Sequence, residues 1–149
     1  MRIAAKEDYA VRAALELAFA EGEIVTRDQI SQAQDIPSAF LQNILMELRV
    51  AGYVETLRGR EGGFRLARPA SEITVADIVR AVTGPLATIR GVRPPAVEYH
   101  GGAEPLKDVW LALRANIREV LEGVTLADLT AAKLPTPIQR LARKADHAD

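Results

Sequence analysis

Three helical segments in succession and then a lone β-hairpin: the switch of apolar period at Gly52 constrains this chain more than any other feature. In KEDYAVRAALELAFAEG, Tyr9, Ala10, Ala13, Ala14 and Leu17 recur at helical spacing. Val11 and Leu15 are apolar on a second side, which predicts a widely buried helix ending near Gly22. TRDQISQAQDI opens on Thr26 with Gln29 three residues on, a capping box, and carries Ile30 and Ala33 on one side. In IPSAFLQNILMELRVAGY, Pro37 and Ser38 suit a helix start and Gly52 its stop. Phe40, Leu41, Ile44, Leu45 and Leu48 form one stripe there, and Gln42, Asn43, Met46 and Arg49 lie away from it. Two short helices joined at Asp35-Ile36-Pro37 make a helix-turn-helix candidate. Beyond Gly52, the β-rich runs YVETLR and GFRLAR flank GREG and read as a hairpin. The order predicts a mainly α fold with a small β-hairpin wing, a winged helix-turn-helix.

The rest of the chain continues in helices. ITVADIVRAVTGP has Thr74 as N-cap with Asp77 at the third position, and Gly84-Pro85 closes it. Residues rich in Gly and Pro follow, a loop long enough to suggest function or mobility. From Leu106 the apolar residues Trp110, Leu113, Ile117, Val120 and Val124 follow at intervals of four, three, four, three and four, a coiled-coil seam. Thr125 and Asp128 start a small helix, and the tail RLARKADHAD is polar and expected to fray. The expected organisation is a winged helix-turn-helix domain over 1–83, an effector or sensor loop over 84–104, dimerisation helices over 105–132 and a flexible tail over 133–149. The seam predicts a homodimer through Leu106, Val109, Trp110, Leu113, Ile117, Val120, Leu121 and Val124.

Net charge is −1, yet Arg58, Arg60, Arg65 and Arg68 crowd around Glu61 in the hairpin. Local charge matters more than the total where one face meets a partner. Gly59, Gly62 and Gly63 make the tip slim and permit positive φ, so that Arg58 and Arg60 can reach a minor groove or its phosphates. The helix from Ser38 would enter the major groove, with Gln42 and Asn43 offering paired donors and acceptors to base edges. The full candidate DNA surface is Thr26, Arg27, Gln29, Ser38, Ala39, Gln42, Asn43, Arg49, Arg58, Gly59, Arg60, Gly62 and Gly63.

The run GYVETLRGREGGFRLARPASEITVADIVRAVTGPL resembles the signature of the IscR/NsrR/CymR family of bacterial transcriptional regulators. KEDYAVRAALELA and VWLALRANIREVLEGVTLADL match it too, so the resemblance covers residues 1 to about 132. It implies a homodimeric winged-helix repressor or activator whose long helix after the loop forms the dimer interface. It also implies DNA contacts from the recognition helix and wing, which fall here on Ser38, Gln42, Asn43, Arg58 and Gly59. Cluster-binding members carry three cysteines in the loop before the dimer helix. This chain has no cysteine. Disulfides, thiolate zinc sites and cysteine-ligated iron–sulfur clusters are therefore excluded, and no cofactor is expected. Glu98, His100 and Glu104 are weak metal candidates in that loop, where a small-molecule or protein effector fits better.

An enzyme is disfavoured, because only His100 and His147 exist and no phosphate-cradling glycine motif or nucleophile elbow is present. A winged-helix dimer that binds protein instead of DNA is the alternative that the near-neutral charge leaves open. No run approaches the roughly 18 apolar residues of a membrane helix. The expectation is a soluble, cytoplasmic, nucleoid-associated protein with double-stranded DNA as its partner.

Overall fold

A computed structural model describes residues 2–59 and 62–146. Helix α1 spans Ala5–Phe19, α2 Arg27–Gln34 and α3 Ser38–Val50. Strands β1 (Val54–Leu57) and β2 (Gly63–Leu66) pair antiparallel, with Val54 opposite Leu66 and Leu57 opposite Gly63. Helix α4 spans Val75–Thr83, α5 Leu106–Glu122, α6 Leu126–Thr130 and α7 Thr136–Asp146.

The starts of α2, α4 and α6 are set by one device. Thr26, Thr74 and Thr125 each accept the N–H of the third helical residue on their hydroxyl, at 3.0–3.1 Å. Gln29, Asp77 and Asp128 each return an acceptor to the capping residue's own N–H at 2.9 Å. Two otherwise orphaned donors are satisfied at each end. Between α2 and α3, Asp35 adopts a left-handed conformation at φ 52°, which Asp tolerates better than bulkier residues. Ile36 is then driven into the core while its N–H donates to the Ser31 carbonyl and its carbonyl accepts from Ser31 Oγ.

One apolar core runs through the fold. Ala10, Ala13, Ala14 and Leu17 of α1 meet Ile30, Leu41, Ile44, Leu45 and Leu48 of the helix-turn-helix, Val54 and Phe64 of the hairpin, and Ile78 and Val82 of α4. The alanines on α1 let it lie close to α3, α4 and α6 at once. Phe40 departs from the expected stripe. It is 43% exposed and sits edge-on against Tyr9 at 5.5 Å, because the buried face of α3 is already filled by its four leucine and isoleucine residues.

Two connections were not legible in sequence. Val25 pairs with Phe64 in both directions, at 2.8 and 2.9 Å, so an isolated antiparallel bridge ties the start of α2 to the wing. Leu126, fully buried, belongs to the same core as the helix-turn-helix. The chain after α5 returns to it through Val75 N–H on the Val124 carbonyl and Leu126 N–H on the Ile73 carbonyl, both at 2.9 Å. Within the C-terminal tail, Thr136–Asp146 form helix α7.

Candidate nucleic-acid interface

Helix α3 divides cleanly. Leu41, Ile44, Leu45 and Leu48 are fully buried, whereas Ala39, Asn43 and Arg49 are exposed and Ser38 and Gln42 half-buried. The polar face is turned outward because the apolar one is consumed by the core. At its C-terminus the chain leaves through Gly52 at φ 84° and enters β1 at once, so the helix and the wing are held by a single tight turn.

Neighbours constrain several of the polar residues. Arg27 Nη1 donates to Gln42 Oε1 at 3.2 Å, which orients the amide and takes one of its acceptor lone pairs. Gln42 therefore presents its N–H₂ group more freely than its oxygen, and the balanced donor–acceptor pair expected from sequence belongs to Asn43. Thr26 and Gln29 spend their side chains on the α2 cap.

At the wing, Arg58 and Gly59 are exposed. Gly59 has φ +121°, and its carbonyl accepts Gly62 N–H at 3.0 Å to close the turn. Gly62 and Gly63 have a different reason to be glycine. A Cβ on Gly62 would lie 2.5 Å from the Leu57 carbonyl oxygen, and one on Gly63 would lie 2.6 Å from that of Val25. Their small size serves the hairpin's own packing, and neither adopts positive φ. Arg60 lies outside the described residues. Two arginines of the cluster are internally engaged: Arg65 pairs with Glu55 across the strands at 2.9 Å, and Arg68 covers the Tyr53 ring at 5.1 Å. Partial burial, with the Asp77 carboxylate nearby, raises the Tyr53 phenol above its ordinary value.

Helix α5 carries its apolar stripe in the open. Leu106, Val109 and Leu113 are 37%, 55% and 38% exposed, and no residue of the helix is buried. Trp110, Ile117, Val120 and Leu121 are half-buried. Leu113, Ile117, Val120 and Leu121 line an apolar groove with Ile3, Val79 and Leu86. Val124 does not belong to this stripe. The helix stops at Glu122, and Val124 turns into the core as its carbonyl joins α4.

The segment over 84–104 is built against α5. Arg90 and Gly91 both take positive φ between the reciprocally bonded Ile89 and Val92, a tight two-residue turn. Pro94 and Val97 are buried, and Trp110 Nε1 donates to Tyr99 Oη at 2.9 Å. Glu98, His100 and Glu104 line one open hollow with Tyr99 and Lys107. Among the described residues no three of His, Asp or Glu are placed to hold a metal ion.

A buried helix-turn-helix with a hairpin fixed beside it defines a winged-helix protein of the nucleic-acid-binding kind. The Rrf2 family model, described as iron-dependent transcriptional regulators, matches residues 3–132. The chain belongs to the Rrf2 family and is a transcriptional regulator, not an enzyme. It is 48% identical to Rv1287 of Mycobacterium tuberculosis, whose name places it among HTH-type transcriptional regulators, over 95% of this chain and 89% of that one. It is 33% identical to the HTH-type transcriptional regulator CymR of Bacillus subtilis, over 88% of this chain and 91% of that one. The solved structure of the B. subtilis CymR, the global cysteine regulator of that organism, superposes with a TM-score of 0.74 at 31% identity, covering 89% of this chain and 98% of that one. IscR of T. potens superposes with 0.71 at 31% identity, covering 89% and 88%. The family description names iron, but this chain has no cysteine and, among the described residues, no converging set of His or carboxylate side chains, so the described residues do not fit an iron centre.

Proposed function

We propose that the protein is a homodimeric, sequence-specific DNA-binding regulator, acting as a repressor on a pseudo-palindromic operator. The observation that carries this reading is the segregation of α3 into a fully buried apolar face and an outward face of Ser38, Ala39, Gln42, Asn43 and Arg49. That face enters a major groove, where base edges are distinguishable, and Arg58 on the Gly59 turn reaches the adjacent minor groove. Arg27 holds Gln42 and contributes charge to the same surface. The open stripe of α5, continuous with the groove containing Leu113 and Ile117, supports a second copy as its cover. Two copies would set two recognition helices one or more helical turns apart on the duplex.

Gel shifts with fragmented genomic DNA at several salt concentrations, with sequencing of what is retained, test the reading. A palindromic motif with salt-sensitive affinity supports it. The net charge of −1 favours a second reading, a protein-binding module of the same dimeric form. Retention of no fragment above background would favour that module.

A further inference from the structure

Four arginines from three segments of the chain line one hollow on the side of the molecule where α4, the 84–104 segment and α5 meet. Arg80 comes from α4, Arg93 from the segment, and Arg114 and Arg118 from successive turns of α5. Gly84, Pro85, Leu86 and Ala87 form the rest of its wall, and its volume is 340 Å³. One carboxylate answers this charge. Glu122 accepts from Arg80 and, at 3.0 Å, from Arg118. Among the described residues Arg93 and Arg114 have no ion-pair partner, and the Leu86 and Ala87 N–H groups have no acceptor. Among the described residues, the only carboxylate in ion pairs with the four guanidinium groups at this hollow is that of Glu122, in a protein whose net charge is −1. Like charges gathered at one concave place repel, and a bound anion would relieve that repulsion.

We propose that this hollow is a binding site for a small multivalent oxyanion, of phosphate or carboxylate type. Its size suits a small molecule and excludes a folded partner. Guanidinium groups match such oxyanions with paired, charge-assisted hydrogen bonds. The ligand would be clamped between α4, whose apolar face belongs to the helix-turn-helix core, and α5, which carries the open apolar stripe. This deepens the reading of the 84–104 segment as a sensing element, and it rests on that reading only for its regulatory consequence. Binding itself is measured without DNA.

The test is calorimetric titration of the full-length protein with inorganic pyrophosphate and with citrate, each against sodium chloride at matched ionic strength. Saturable binding of either anion, one per chain, supports the site, and the tighter of the two tells phosphate from carboxylate. Arg93→Ala combined with Arg114→Ala should weaken it by about tenfold or more. Neither arginine makes an ion pair, so the fold should survive, and circular dichroism checks this. Glu122→Gln, which removes the competing carboxylate, should tighten binding instead. Affinity no better than chloride, or equal affinity in the wild type and the double variant, overturns the proposal. So does loss of non-specific duplex binding by the double variant, which would make the hollow part of the DNA surface.

Discussion

Arg58 and Arg65 stand in the same hairpin and differ in what surrounds them. Arg65 has Glu55 at 2.9 Å across the strands, an exposed pair of small energetic weight. Arg58 is exposed beside the Gly59 turn, with no ion-pair partner among the described residues. Arg58→Ala should therefore weaken operator binding by roughly 1–3 kcal/mol if the side chain lies in the minor groove. Losing one phosphate contact per wing should flatten the slope of log affinity against log salt by about two per dimer. Arg65→Ala should leave both nearly unchanged. Titrating the two variants on one mapped operator at several salt concentrations checks the contrast, and equal binding by Arg58→Ala and wild type would make the tip a solvated turn.

At the scale of elements, α5 is the helix whose environment is incomplete. Three of its large apolar residues are more than a third exposed, although its stripe has the spacing of a buried seam. A charge at Leu113, which is 38% exposed, should be tolerated by the isolated fold and not by a pair of such helices. Leu113→Glu is expected to give a folded monomer where the wild type is a dimer at micromolar concentration, read by light scattering with circular dichroism. A wild-type monomer would sink the dimer reading. The far end of α5 has a second fastening, because Glu122 accepts from Arg118 and Arg80 and so ties α5 to α4. The Arg118 hydrogen bond, then that of Arg80, holds the Glu122 carboxyl below its ordinary value of 4.5. A lowered value in the folded state means the ionised form is the stabilised one. Its contribution is complete above 4.5 and is lost as pH falls through the lower folded value. Melting temperatures of wild type and Glu122→Gln should thus differ at neutral pH and converge in acid. A difference that persists below that window would assign the effect to packing.

For the whole molecule, the decisive feature is that the chain comes back. Leu126 is fully buried in the core that supports the helix-turn-helix, although more than seventy residues separate it from Leu48. Leu126→Ala should destabilise the protein by about 2–5 kcal/mol in denaturant unfolding, as removal of a buried leucine side chain does elsewhere. The loss should appear in a single transition, because α6 and the helix-turn-helix share one core. A separate early transition for the C-terminal part would show two independent units.

What the sequence determined by itself was local. Three Thr-led capping boxes, the apolar period of α1 and α3, and the glycines of the hairpin turn each act within a few residues, so the order of helices and the wing were legible from them. The outward face of α3 was legible for the same reason. Tertiary structure decided what depends on distant partners. It paired Val25 with Phe64, set Arg27 on Gln42, paired Arg65 with Glu55, laid Arg68 on the Tyr53 ring, and turned Val124 away from the α5 seam into the core. It also gathered Arg80, Arg93, Arg114 and Arg118, whose spacing in the chain carries no motif. Short-range hydrogen bonds and side-chain periods are written in neighbouring residues, whereas packing and charge balance are settled only when segments from opposite ends of the chain share one core.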